Sequence, residues 1–84
     1  MKYAIYFTKQ AIKQLEKVPN EDYFRIKEAI QQLSNHPYPN GTKKLRGRDA
    51  YRIRQGSYRI IYEVHKQKVA INIIAIGHRK DIYR

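Results

Sequence analysis

The second half of the chain contains three short segments, AYRIR, YRIIYEV and VAINIIAI, that are rich in β-branched and aromatic residues. The peptides QGS and HKQK separate them and suit tight turns. Segments of this composition form strands, and such short connections join neighbouring strands in opposite directions. The pattern therefore predicts an antiparallel meander of three strands.

Pairing across a two-residue turn at Gly56–Ser57 predicts which side chains share a face, because directly opposite residues point the same way. The face that can be covered, here named the core face, carries Tyr51, Ile53, Tyr58, Ile60, Tyr62 and Val64. The opposite face, named the arginine face, carries Arg52, Arg54, Arg59, Ile61 and Glu63. With Lys66–Gln67 as the next turn, the core face also receives Val69, Ile71 and Ile73, whereas the arginine face receives Asn72, Ile74, Ile76 and His78.

The first half predicts one strand and two helices. KYAIYF alternates as a strand does, Thr8 suits a helix N-cap, and apolar residues recur at helical spacing over residues 9–17. Asn20 suits the cap of a second helix, which ends before His36–Pro37 because a residue preceding proline avoids the helical region. The expected fold is α+β, with two N-terminal helices on one face of a small antiparallel sheet in the order β-α-α-β-β-β.

The length of 84 residues predicts a single domain, 1–84, with one small core. The chain has no cysteine, which excludes disulfides and thiolate metal sites. No apolar run approaches the roughly 18 to 20 residues that cross a bilayer, and no signal peptide is evident at the start. These features predict a cytoplasmic protein that has no membrane partner.

Positive charge is concentrated in the second half of the chain. Lys and Arg number 18 against 7 Asp and Glu, a formal net charge of +11. Residues 1–36 contain six basic and four acidic side chains, whereas residues 37–84 contain twelve and three. Arginines placed together on a sheet repel one another, and each offers a planar fork of donors that matches phosphate oxygens. The pattern predicts a polyanionic partner at the arginine face.

Aromatic and histidine side chains add candidates for contact with nucleic acid. Tyr38 and Tyr83 lie outside the predicted core and are free to stack on bases. His36 and His65 read as surface residues, and the three histidines do not form a metal-ligand spacing. His78, within Gly77–His78–Arg79–Lys80, suits either proton transfer or a phosphate contact.

Four segments in order resemble the RelE side of the RelE/ParE superfamily of type II toxin-antitoxin toxins: KLRG, YRIR, YRIIYEV and GHRKDIY. The resemblance covers essentially the whole chain. It implies an endoribonuclease that needs no cofactor or metal and cuts messenger RNA in the ribosomal A site, where a 2′-hydroxyl attacks the adjacent phosphate. It also implies a cognate RelB-like antitoxin, through which the pair binds operator DNA.

The resemblance also implies roles for individual residues. Arg52, Arg54 and Arg59 match basic phosphate-binding positions, Arg79 matches an arginine after the last strand, and Tyr83 matches a base-stacking tyrosine. A guanidinium stays protonated at neutral pH, so the proton acceptor is sought among His78, Glu63 and Tyr83. His78 is also expected to protonate the leaving 5′-oxygen. For Glu63, the alternative to accepting the proton is a structural salt bridge to Arg52 or Arg54. Contact with ribosomal RNA is expected from Lys43, Lys44, Arg46, Arg48, Lys80 and Arg84.

Two other functions stay open from the sequence. A ParE-like inhibitor of DNA gyrase would share the superfamily and cleave nothing. A non-enzymatic RNA-binding module would explain the charge alone.

Overall fold

A computed structural model of the chain describes residues 2–47 and 49–78. It contains two helices and five strands in the order β1, α1, α2, β2, β3, β4, β5. Their bounds are β1 Ala4–Phe7, α1 Lys9–Glu16, α2 Asn20–Leu33, β2 Lys43–Lys44, β3 Tyr51–Gln55, β4 Tyr58–His65 and β5 Ala70–His78. The helices pack against one face of the sheet, which confirms the α+β prediction.

The sheet is mostly antiparallel and has the strand order β1-β5-β4-β3-β2. Strand β1 pairs with β5 in parallel, with Ile5 opposite Ile71. The parallel pair differs from the expected antiparallel sheet, and β2, a two-residue strand that pairs with β3, was not predicted. The parallel pairing follows from the connections: the two helices lead into β2, which runs opposite to β1, and the three antiparallel pairings from β2 to β5 then give β5 the direction of β1.

The predicted register of the β3–β4 hairpin is confirmed. Tyr51 lies opposite Tyr62, Ile53 opposite Ile60, and Arg54 opposite Arg59. Gly56 has φ 60°, a conformation that glycine adopts at little cost, and this suits the two-residue turn. The core face of the hairpin is buried against the helices, with Ile53, Ile60 and Tyr62 in the main apolar cluster beside Ile26, Ile30 and Leu33 of α2.

The next turn is longer than predicted. His65 pairs with Ala70, so residues 66–69 form the connection and Val69 lies before β5. The shift is two residues, which preserves the alternation, and Ile71 and Ile73 are fully buried on the core face as expected. The turn ends with Val69 at φ 50°, a rare conformation for a β-branched residue.

A β-bulge in β5 overturns the predicted positions of Ile76 and His78. Tyr62 pairs with Ile73 whereas Ile61 pairs with Ala75, so Ile74 is an extra residue. An extra residue reverses the alternation beyond it. Ile76 is therefore on the core face and only 1% exposed, and His78 lies opposite Tyr58 on the core face. The expectation that both residues join the arginine face was wrong.

Helix α1 covers the edge of β5 beyond the point where β1 ends. The Thr8 N–H donates to the Ile73 carbonyl at 3.0 Å, and the Thr8 hydroxyl donates to the carbonyl of the bulged residue Ile74 at 2.8 Å. The Ile76 N–H donates to Gln14 Oε1 at 2.7 Å. Thr8 Oγ1 also accepts from the Ala11 N–H at 3.0 Å, which confirms the predicted N-cap. Thr8 and Gln14 thus supply partners for backbone groups of β5 beyond the end of β1.

We expect Gln14→Ala to lower the free energy of unfolding by about 1–3 kcal/mol, because the Ile76 N–H loses its acceptor in a partly buried position. Gln10→Ala, an exposed position on the same helix, is the matched control and should change stability by less than about 0.5 kcal/mol. Urea denaturation followed by circular dichroism measures both. Equal midpoints for the two variants would contradict the assigned hydrogen bond.

The start of α2 differs from the prediction in one respect. Asn20 is the first residue of the helix, and Pro19 occupies the cap position with no side-chain hydrogen bond. The Pro19 carbonyl accepts from the Tyr23 N–H at 2.8 Å. Within the described residues, no helix is long and apolar enough to cross a membrane.

Candidate functional site

The arginine face presents a directly opposed pair of arginines next to the β3–β4 turn. Arg54 of β3 lies opposite Arg59 of β4, and Arg52 lies two residues further along β3 on the same face. Arg54 is exposed, whereas Arg52 and Arg59 are only 3% and 7% exposed. The two helices were expected to cover the core face alone, so the burial of Arg52 and Arg59 on the arginine face is a new feature of the site.

The position of each arginine in the sheet accounts for part of this difference. Arg52 lies between Lys43 of β2 and Ile61 of β4, and Arg59 lies between Arg54 of β3 and Gly77 of β5. Both arginines therefore have a strand on each side, whereas Arg54 has a paired neighbour on one side alone. Charges held away from bulk water interact more strongly with an approaching anion.

The basic side chains continue toward the edge of the sheet. Lys43 pairs with Arg52 and so extends the row of positive charge. Lys44 Nζ lies 4.0 Å from Asp49 Oδ1 with both side chains exposed, an arrangement that contributes little to stability. Arg46 is exposed in the loop that follows β2. The predicted contact residues Arg48, Lys80 and Arg84, and the predicted site residues Arg79 and Tyr83, lie outside the described residues.

Glu63 is on the arginine face but at the opposite end of it. Its Oε1 lies 3.2 Å from His65 Nε2, and this pairing replaces the predicted salt bridge to Arg52 or Arg54. Glu63 pairs with Asn72 and is four residues along β4 from Arg59. At about 3.3 Å per residue, the two Cα atoms are about 13 Å apart. The structure does not bring Glu63 to the Arg54–Arg59 pair.

His78 is at the same end of the sheet as that pair but on the other face. Its ring centroid lies 5.7 Å from that of Tyr58 in an edge-to-face arrangement. The two rings line a cleft of about 240 Å³ together with Gln14 and Lys17 of the α1 region. Neither His78 nor Glu63 shares both the face and the end of the sheet with Arg54 and Arg59.

Three tyrosines fix the loop after α2 to the sheet. The buried Tyr62 hydroxyl donates to the Pro37 carbonyl at 2.6 Å. The ring centroids of Tyr38 and Tyr51 are 4.9 Å apart, so the Tyr38 ring is held in place, and at 43% exposure it lies outside the core as predicted. Partial burial, then a side-chain hydrogen bond with Tyr51, raises the pKa of Tyr38 to about 12. Burial also raises the pKa of Tyr62.

These shifts predict a loss of stability in alkali. Tyrosines in the unfolded chain ionise near pH 10, whereas Tyr38 and Tyr62 keep their protons to higher pH. The unfolded state therefore binds fewer protons above pH 10, and the free energy of unfolding should fall from about pH 10 to pH 12. Urea midpoints at pH 9 and pH 11 measure the fall, and Tyr38→Phe should make it smaller. The same pH dependence in Tyr38→Phe as in the wild type would contradict the assignment.

Sequence reasoning missed two features near the site. The bulge that moves His78 has no residue signal in the run INIIAIG, and the part played by Gln14 depends on that bulge. Within residues 2–47 and 49–78, no three His, Asp or Glu side chains are grouped closely enough to hold a metal ion.

Comparison with known proteins identifies the family. A family model described as the ParE toxin of type II toxin-antitoxin system, parDE, matches residues 5–83. The chain belongs to the RelE/ParE superfamily of toxins. The predicted resemblance is thereby confirmed.

Relatives of this toxin carry RelE-type names. Toxin RelG of Mycobacterium tuberculosis is 34% identical over an alignment of 87 residues that covers 100% of this chain and 99% of RelG. The mRNA interferase toxin RelE of Escherichia coli is 30% identical over 83 residues, covering 95% of this chain and 86% of that protein. The archaeal RelE–RelB complex of Pyrococcus horikoshii contains a chain with TM-score 0.85 and 33% identity, covering 96% of this toxin and 99% of that chain.

Proposed function

We propose that this toxin is an endoribonuclease that cuts messenger RNA in the ribosomal A site. The observation that carries the proposal is the cross-strand pair of Arg54 and Arg59 on one face, with Arg52 beside it. Two guanidinium forks at adjoining positions can hold one phosphate through several charge-assisted hydrogen bonds. The mRNA interferase name of the Escherichia coli relative supports the same reaction.

In the proposed reaction the 2′-oxygen of one nucleotide attacks the adjacent phosphorus while the bond from phosphorus to the 5′-oxygen breaks. The products are a 2′,3′-cyclic phosphate and a free 5′-hydroxyl. Negative charge grows on the phosphate oxygens in the transition state, and Arg52, Arg54 and Arg59 are proposed to stabilise it. Arg79 is proposed to add to this charge, and Tyr83 to stack on a base.

The proton leaves the 2′-hydroxyl and a proton reaches the 5′-oxygen, and these steps need groups other than guanidinium. His78 lies on the other face of the sheet from the Arg54–Arg59 pair, and Glu63 lies at the opposite end of the arginine face. We therefore assign neither of them to proton transfer. Tyr83 stays the candidate among the three that the sequence predicted.

We expect His78→Gln to keep the single-turnover rate of cleavage within about threefold of wild type, with the same dependence on pH. A general acid or base contributes about 10²- to 10⁴-fold, so the experiment separates the two assignments clearly. Ribosomes programmed with a defined message and assayed between pH 6 and pH 9 provide the measurement. A loss of 100-fold or a displaced pH profile would restore His78 to the reaction.

The proposed partners follow from charge and from the relatives. The Pyrococcus horikoshii protein is in complex with RelB, and we propose a RelB-like antitoxin with acidic or amphipathic helical segments that cover the basic face, the helices or both. The toxin would bind operator DNA only through that antitoxin. Ribosomal RNA and message would meet the basic residues Lys43, Lys44, Arg46, Arg48, Lys80 and Arg84.

The test in cells is the mapping of message ends after brief induction of the toxin. The proposal expects cuts inside translated regions within minutes, and protection when the antitoxin is expressed with it. Messages that stay intact while growth stops would contradict the proposal.

Inhibition of DNA gyrase is the second candidate, because the matching family model is that of ParE toxins. It would require the basic surface to bind a protein target and cleave nothing. A supercoiling assay with purified gyrase decides, since inhibition without any cleavage of message on ribosomes would support this candidate alone.

A further inference from the structure

A second basic cleft lies at the end of the sheet opposite the Arg54–Arg59 pair. Its volume is about 390 Å³. The loop after α2, the start of β3 and the β4–β5 turn meet there, and they contribute Tyr38, Asp49, Tyr51, His65, Lys66 and Lys68. We name it the tyrosine–lysine cleft.

The aromatic wall of the cleft is both exposed and fixed. Tyr38 is 43% exposed, and its contact with the Tyr51 ring is edge-to-face, with the ring planes 69° apart. An edge contact of this kind orients a ring and leaves room on it for stacking. A tyrosine held in this way has little conformational freedom left to lose when a base binds.

The cationic wall is flexible and close to the ring. Lys66 Nζ lies 5.6 Å from the centroid of Tyr38, within cation–π distance. Because the ammonium is on a four-carbon stem in an exposed turn, it can move from the ring to a phosphate and leave the ring to a base. Lys68 is exposed in the same turn, and Asp49, the carboxylate of the cleft, has Lys44 at 4.0 Å to offset its charge.

We propose that the tyrosine–lysine cleft binds one nucleotide of single-stranded RNA, with the base on Tyr38 and the phosphate between Lys66 and Lys68. The proposal rests on the proposed function, for which it supplies a second contact with the RNA of the ribosome. Charge complementarity favours RNA, because stacking on an aromatic ring beside lysines is the arrangement with which proteins bind unpaired nucleotides.

The bound nucleotide is not the one that is cleaved. Arg59 and His65 are six residues apart on β4, which places the cleft about 20 Å from the Arg54–Arg59 pair. Its walls also include Tyr51, which belongs to the core face and not to the arginine face. The contact therefore contributes equally to the ground state and the transition state, and it should change KM for ribosomes but not kcat.

The test compares Lys66→Ala/Lys68→Ala with Lys9→Ala/Lys13→Ala, a control that removes the same charge from exposed positions on α1. The first measurement is binding of a fluorescein-labelled single-stranded RNA of twelve nucleotides at several salt concentrations. We expect the cleft variant to bind about tenfold more weakly and to lower the slope of log K against log salt by about 0.7 to 1.4, since one or two phosphate contacts are lost. The control should lose less than about threefold.

Substitutions of Tyr38 test the stacking independently of charge. Tyr38→Ala should weaken binding of the same RNA about tenfold, whereas Tyr38→Phe, which keeps the ring, should bind within about twofold of wild type. Thermal unfolding checks that each variant is folded, and the lysine variants carry the test if Tyr38→Ala is not. On programmed ribosomes, the lysine variant should raise KM about tenfold and leave kcat unchanged.

Equal losses of RNA affinity in the two double-lysine variants would overturn the inference, because positive charge would then act without a defined site. Wild-type affinity in a folded Tyr38→Ala variant would also overturn it, because no base would then stack on Tyr38. Cleavage by the wild type bears on the proposed function alone. A wild type that leaves message intact but binds the RNA through the cleft would contradict the proposed function and support the inference.

Discussion

Arg54→Ala is expected to slow the cleavage of message on programmed ribosomes by about 10²- to 10³-fold. Arg54 lies directly opposite Arg59 and is the exposed member of the pair, so in the proposed reaction its guanidinium is the first group that the phosphate meets. Removal of one preorganised donor to a developing oxyanion typically costs a factor of this size. Because the side chain is exposed, the fold should be unaffected.

The single-turnover rate at saturating toxin isolates the effect on chemistry from that on binding. Arg25→Ala, an exposed arginine on α2 in the other half of the chain, is the matched control and should cleave at the wild-type rate. Arg54→Lys keeps the charge but loses the planar fork, so an intermediate loss of about tenfold is expected. Cleavage by Arg54→Ala within threefold of wild type would show that the arginine pair does not hold the reacting phosphate.

Ile76→Ala is expected to lower the free energy of unfolding by about 2–5 kcal/mol, the usual cost of truncating a buried isoleucine. Ile76 is 1% exposed and belongs to the main apolar cluster, because the bulge at Ile74 turns it onto the core face. A domain of this size has a total stability of roughly 5–10 kcal/mol, so the variant should lose a large part of it.

Ile74→Ala is the matched control, because Ile74 is partly exposed and should lose less than about 1.5 kcal/mol. Urea denaturation of both variants gives the two values. If β5 had no bulge, the two residues would lie on one face and on the arginine side. Similar small losses for the two variants would therefore contradict the bulge.

The β3–β4 hairpin could be predicted from sequence because its register is set locally. Gly56 suits the tight turn, and Tyr51, Ile53 and Ile60 alternate with arginines, so one register alone buries the apolar side chains. The last strand offers no such guide. Residues 73–76 are all apolar, so the pattern does not distinguish a regular strand from one that contains an extra residue. The bulge and the position of His78 could therefore not be predicted.

Features that depend on contacts between distant parts of the chain could likewise not be predicted from the sequence. The parallel pairing of β1 with β5 joins residues more than sixty positions apart, and the alternation within KYAIYF does not indicate which strand lies beside it. The arginines were correctly placed on one face, but the burial of Arg52 and Arg59 depends on their neighbours across strands. The tyrosine–lysine cleft forms where the loop after α2 meets the β4–β5 turn, and nothing in the sequence indicates that Tyr38 and Lys66 lie close together.

The most direct measurement for the central claim is the mapping of 5′ ends on a defined message, in purified ribosomes halted with a known codon in the A site. The toxin should cut within that codon, only when ribosomes are present, and leave a 2′,3′-cyclic phosphate upstream and a 5′-hydroxyl downstream. Arg54→Ala should leave the message uncut over the same time. An intact message with the wild type, at concentrations that inhibit DNA supercoiling by gyrase, would contradict the claim.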